Sequence, residues 1–98
     1  MNRFRAGGLY LLDEPESALS PQRQLAALCR FHDLAQVGCQ FIIATHSPVL
    51  LAYPQARILL LDERGITETA YDDLPLVRIY RGILANPERH VRELLRDG

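Results

Sequence analysis

The sequence predicts an α/β domain: parallel strands joined by crossover helices, with an antiparallel hairpin and two helices at its C-terminal end. Three observations carry this. Two short apolar runs, GLYLL at 8–12 and QFIIAT at 40–45, have the length and composition of strands buried on both faces. One helical stretch lies between them, opened by Ser20-Pro21 and closed by Gly38. A strand–helix–strand order of this length calls for a right-handed crossover and parallel pairing.

Each element has its own local reason. Asp13 to Pro15 end the first strand. In the helix, Ser20 is the N-cap and Pro21 the first helical residue. Leu25, Leu28, Phe31 and Leu34 recur at helical spacing, with Gln22, Arg23, Arg30 and Asp33 mostly opposite. After the second strand, Ser47-Pro48 repeats the serine–proline start and opens a short helix to about Tyr53, which Pro54 breaks. RILLL at 57–61 is a third strand. Asp62 to Gly65 is a turn, with Gly65 available for positive φ. ITETAY at 66–71 alternates and is the return arm of a hairpin. A helix starting near Asp72 or Asp73 carries Val77, Tyr80 and Leu84. A last helix, capped by Asn86-Pro87, carries Val91, Leu94 and Leu95.

Composition bounds the function. The chain has 98 residues, 48% hydrophobic and 23% charged, the balance of a folded domain. No apolar run approaches the roughly 18 residues of a membrane span, and none forms a signal-peptide core, so a cytoplasmic location is expected. The formal net charge of −1 gives no bulk attraction to nucleic acid or to an acidic membrane. The arginines of the last two helices (Arg78, Arg81, Arg89, Arg92, Arg96) alternate with Glu88, Glu93 and Asp97, the pattern of a solvated face. All 11 basic residues are arginine, which excludes chemistry that needs a lysine amine, including the phosphate-binding lysine of a P-loop. Cys29 and Cys39 fit neither a disulfide framework nor a CxxC metal site, and both read as buried small hydrophobes.

In parallel sheets the ligand site lies at the carboxyl ends of the strands. Asp13-Glu14, His46 and Asp62-Glu63 occupy those ends. An apolar strand ending in two carboxylates suits a Mg²⁺-nucleotide site. One carboxylate helps to hold a hydrated metal, and the second orients or deprotonates the attacking water. The same pair could also be an acidic turn that simply ends a strand.

The segment LYLLDEPESALS at 9–20 resembles the Walker B strand and D-loop of ABC-type ATPases. Asp13, Glu14, Pro15, Ser17, Ala18 and Leu19 match that pattern, and Ser20 stands where transporters usually have aspartate. FIIATHSP resembles the same family's switch-histidine strand, and the 32 positions from Glu14 to His46 leave room for one crossover helix. RILLLDERGITET resembles the hairpin that follows it, and there Asp62 and Glu63 take no catalytic role. Glu-Ser-Ala-Leu-Ser and Thr-His-Ser-Pro are most similar to bacterial ABC-type ATPases of the "AAA family", soluble relatives of recombination and chromosome-maintenance ATPases. The resemblance implies a partial P-loop NTPase sheet, with residues 1–98 as one partial domain. It implies Asp13 as the Mg²⁺ residue acting through water, Glu14 as general base and His46 as γ-phosphate contact. Ser17, Ala18, Leu19 and Ser20 would meet a second ATPase subunit.

The P-loop and the signature segment that this family needs are absent from the sequence, so no nucleotide-binding residue is expected within it. The chain then corresponds to the C-terminal half of an ATPase domain, inactive alone. ATP and Mg²⁺ are the cofactors expected of the complete domain, whose reaction is hydrolysis of ATP to ADP and phosphate. In related sheets the P-loop strand lies between the sensor strand and the next. The strands 41–45 and 57–61 must therefore close up on each other, or the missing N-terminal half must come from a partner. The alternative is a non-enzymatic interaction module that pairs with a chain carrying the P-loop half. A metal-dependent phosphohydrolase using Asp13, Glu14 and His46 without nucleotide specificity is a third reading. Nucleic acid is left open as a partner, without support in these residues.

Overall fold

A computed structural model describes residues 7–96. The elements run β1 (Leu9–Asp13), α1 (Pro21–Gln36), β2 (Gln40–Ala44), a 3-10 turn (Leu50–Ala52), β3 (Leu59–Asp62), β4 (Gly65–Glu68), a second 3-10 turn (Tyr71–Asp73), α2 (Pro75–Ala85) and α3 (Pro87–Arg96). The strands form two separate two-stranded sheets, β1 with β2 and β3 with β4. The chain divides into two compact units, one ending at Gln55 and one beginning at Ala56. The α/β class, with its parallel pair, antiparallel hairpin and C-terminal helices, is the one the sequence predicts.

In the first unit, β1 and β2 pair in parallel from Leu9↔Gln40 to Asp13↔Ala44, with α1 as the connection. The Ser20 side chain accepts the Arg23 N–H at 3.2 Å, and Pro21 occupies the first helical position. The other end of α1 is a Schellman motif. Cys39 N–H donates to Leu34 O and Gly38 N–H to Ala35 O, each at 3.1 Å. Gly38 carries the φ of +93° that this reversal requires. Leu34 and Cys39, the residues such a motif brings together, are both buried.

Among the described residues, one face of the β1–β2 pair is covered and the other is exposed. Tyr10, Leu12, Phe41 and Ile43 are half-buried, and Phe31 of α1 meets Phe41 with ring centroids 4.9 Å apart. Leu9, Leu11 and Ile42 point the other way and stay exposed, Leu11 at 72%. This corrects the expectation of strands buried on both faces. Alternate side chains of a strand face opposite ways, and a single helix covers one side. Cys29 is also exposed, against expectation, while Cys39 is buried. Cys29 lies on α1 next to Leu28, and a cysteine carries no positional signal of its own in an amphipathic pattern.

In the second unit, β3 and β4 run antiparallel from Leu59↔Glu68 to Asp62↔Gly65. Glu63 and Arg64 form the turn, held by Asp62 Oδ1 accepting the Arg64 N–H at 2.9 Å. Gly65 follows at φ +115°. The helix expected near Asp72 starts instead at Pro75, after the 3-10 turn. Leu74 precedes a proline and is extended (φ −68°, ψ 130°), because the proline ring disfavours helical backbone in the residue before it. Leu74 and Val77 are buried. Arg81 pairs with Asp72, Arg78 with Asp73, Arg89 with Glu93 and Arg92 with Glu88. Each of these arginines thus has a carboxylate within its own unit. Among the described residues no helix is long and apolar enough to cross a membrane.

Candidate functional site

The carboxyl ends of β1 and β2 bring Asp13, Glu14 and His46 to one place. Asp13 is the last residue of β1, level with Ala44. Glu14 N–H donates to Ala44 O at 2.7 Å, so the ladder runs one rung beyond the strand. There the chain reverses sharply. Glu14 has φ +45°, the one positive φ among described non-glycine residues, and its carbonyl accepts the Ser17 N–H at 3.1 Å. A left-handed backbone at a residue with a side chain costs about 1–2 kcal/mol. Such strain concentrates where a side chain must be aimed. Here the reversal leaves the Glu14 carboxylate beside the end of β2.

His46 sits two residues past β2. Its Nδ1 is 3.7 Å from Glu14 Oε1, with side chains 82% and 56% exposed respectively. The two groups that the sequence separates by a whole crossover are therefore neighbours, and both are open to solvent. Asp13 is exposed as well, and no ion pair engages it among the described residues. No group of three or more His, Cys, Asp or Glu side chains is arranged to cage a metal among the described residues. The exposed Asp13 carboxylate is an oxygen donor of the kind Mg²⁺ takes. The predicted D-loop residues Ser17, Ala18 and Ser20 are exposed and Leu19 is half-buried, in the turn between Glu14 and α1. Asp62, the other predicted strand-end carboxylate, lies in the second unit and serves its hairpin turn.

Sequence reasoning missed the residues that hold His46. Glu16 Oε2 accepts the His46 backbone N–H at 3.1 Å, while Glu16 Oε1 is buried and makes no hydrogen bond. Burial pushes the Glu16 carboxyl up. The nearby Thr45 side chain, the Glu16 and His46 amides and the His46 ring outweigh it and hold the pKa below the usual value. Ser47 is 4% exposed and its Oγ donates to Gln24 Oε1 at 2.5 Å. The same Oγ accepts the Val49 and Leu50 N–H groups at 3.1 Å each. Gln24 Nε2 in turn donates to Leu19 O at 3.1 Å. The Ser47 cap expected from the sequence is thus present, but it starts a single 3-10 turn in place of an α-helix. His32 Nδ1 and Tyr53 Oη, 2.7 Å apart, tie the far end of that segment to α1. An acid two residues beyond Glu14 and a glutamine in the first turn of α1 were the only sequence traces of these contacts.

With this geometry in place, comparison with known proteins decides the family. A family model described as "AAA domain, putative AbiEii toxin, Type IV TA system" matches residues 3–52, just over half of the chain. The chain belongs to this AAA-domain family. The match includes β1, α1, β2 and the segment with Asp13, Glu14 and His46. The chain is also 42% identical over 55 residues to the hemin import ATP-binding protein HmuV of Pseudomonas aeruginosa. That match takes in 56% of this chain and 22% of the relative, so the chain spans about a fifth of that curated protein's length. An ABC/AAA-type ATPase domain is the common ground of the two comparisons.

Proposed function

We propose that residues 1–98 form one partial ATPase domain that carries the hydrolysis half of an ATP site. In this reading LYLLD is a Walker B strand and Glu14 is the general base. His46 is the switch histidine that contacts the γ-phosphate, and Ser17 to Ser20 form the D-loop that meets a second ATPase subunit. The observation that carries it is the Glu14–His46 pair, 3.7 Å apart at the carboxyl end of a parallel strand pair, within residues matched by the family model. The P-loop lysine and the signature segment come from residues outside this sequence, in the missing N-terminal half of the domain or on a partner chain. The chain is inactive without them.

The residues do distinct work. Glu14, held by its ladder bond and its left-handed turn, is fixed where it can accept a proton from a water attacking the γ-phosphate. His46 donates to a γ-phosphate oxygen and restricts the water's approach, which is positioning and electrostatic work. Asp13 would hold hydrated Mg²⁺, which supplies charge neutralisation on the phosphate oxygens when bound.

His46→Ala tests the assignment. In the complete domain, turnover should fall at least about tenfold while ADP affinity stays within about twofold, because ADP has no γ-phosphate to contact. Equal weakening of ADP and ATP binding with unchanged turnover of bound ATP would make His46 a structural cap.

A further inference from the structure

The β1–β2 ladder ends at Glu14 N–H···O Ala44, and beyond it the two chains part. The next inward-facing donor on the β2 side is the His46 N–H, which has no strand left to pair with. Glu16 supplies the missing acceptor from 30 residues away, with Oε2 at 3.1 Å. The turn that displays Glu14 thus also grips the peptide that displays His46, through a backbone rung at Ala44 and a carboxylate rung at His46. On the other side of His46, Ser47 is anchored through Gln24 to the Leu19 carbonyl.

We propose that Glu16 is a positioning residue for His46: its carboxylate fixes the His46 peptide so that the position of the imidazole beside Glu14 is set before nucleotide arrives. Three features favour this over an incidental surface acid. The acceptor is charged, and charge-assisted bonds are about twice as strong as neutral ones. The carboxylate keeps a buried oxygen without a hydrogen bond, a cost that a solvent-facing acid would avoid by turning outward. Glu16 lies in the turn opened by Glu14, held by the Ser17 N–H on Glu14 O and the Leu19 N–H on Glu16 O, so its carboxylate links the segment that carries Glu14 to the peptide that carries His46. The inference rests on the reading of His46 as the γ-phosphate contact.

The test begins with the full 98-residue chain and needs no activity. In amide-resolved NMR, Glu16→Ala should shift the His46 amide proton upfield and speed its hydrogen exchange about tenfold or more, the loss expected for a bond to a charged acceptor. Glu16→Gln, which keeps an acceptor oxygen and the shape of the side chain, should restore part of both signals. A His46 amide unchanged in Glu16→Ala would overturn the contact. In the complete domain, Glu16→Ala should lower kcat with ADP affinity unchanged, and Glu16→Gln should fall between it and wild type. A lost amide signal with wild-type kcat would overturn the positioning role. Should His46→Ala also leave kcat unchanged, the γ-phosphate reading fails with it, and the amide signals still report the contact separately.

Discussion

Ser47→Ala removes one oxygen and breaks three hydrogen bonds. The hydroxyl accepts the Leu50 N–H in a buried position, accepts the Val49 N–H and donates to Gln24 Oε1, the last two partly buried. A buried donor left unpaired costs about 1–3 kcal/mol, and the partly buried groups recover water and cost less, about 0.5–1 kcal/mol each. The sum is about 2–5 kcal/mol of stability. Ser20→Ala is the control, an exposed cap whose single bond to Arg23 N–H predicts about 1 kcal/mol. Urea unfolding followed by circular dichroism measures both, at unchanged m-value. A Ser47→Ala cost below that of Ser20→Ala would refute the claim that the segment after His46 hangs on this hydroxyl.

Two further outcomes are expected. Under native conditions a thiol reagent should modify Cys29 quickly and Cys39 only on unfolding, because Cys29 is exposed and Cys39 buried; equal rates would contradict the packing of α1 against the end of its own Schellman turn. The folded Glu16 carboxyl has its pKa held below its ordinary value of 4.5, so its stabilising effect is fully present above that value and is lost as pH falls through the folded one. The stability gap between wild type and Glu16→Gln should therefore be largest near neutral pH and shrink below about pH 4.5, as read from urea midpoints; a gap independent of pH would remove the carboxylate's charge from the account.

Much of the first unit was legible because its signals are local. Ser20-Pro21 and Gly38 bracket α1, and the structure places the helix at Pro21–Gln36 with both end motifs formed. The apolar runs located β1 and β2 to within about a residue. What the runs could not show was which face would be covered. GLYLL reads the same whether one layer or two packs on it, and Leu9 and Leu11 remain exposed. The return arm of the hairpin was placed at 66–71, yet β4 is Gly65–Glu68, because the turn at Glu63-Arg64 fixes the register from its own end. At the site, Asp13, Glu14 and His46 could be named because each follows an apolar run. Glu16 and Gln24 could not, since their contacts with the His46 segment join residues 30 and 23 positions apart through side-chain tips. Propensity and periodicity carry no information about such contacts.

The central claim is that Glu14 takes the proton of the attacking water. The most direct measurement is single-turnover hydrolysis of Mg-ATP by the complete domain, with the P-loop half present, comparing wild type with Glu14→Gln. The amide preserves size and hydrogen-bonding reach but cannot accept the proton. Glu14→Gln should leave ATP affinity unchanged and slow hydrolysis by roughly 10²–10⁴-fold, the usual size of a general-base contribution. Hydrolysis within a few-fold of wild type at unchanged affinity would contradict it.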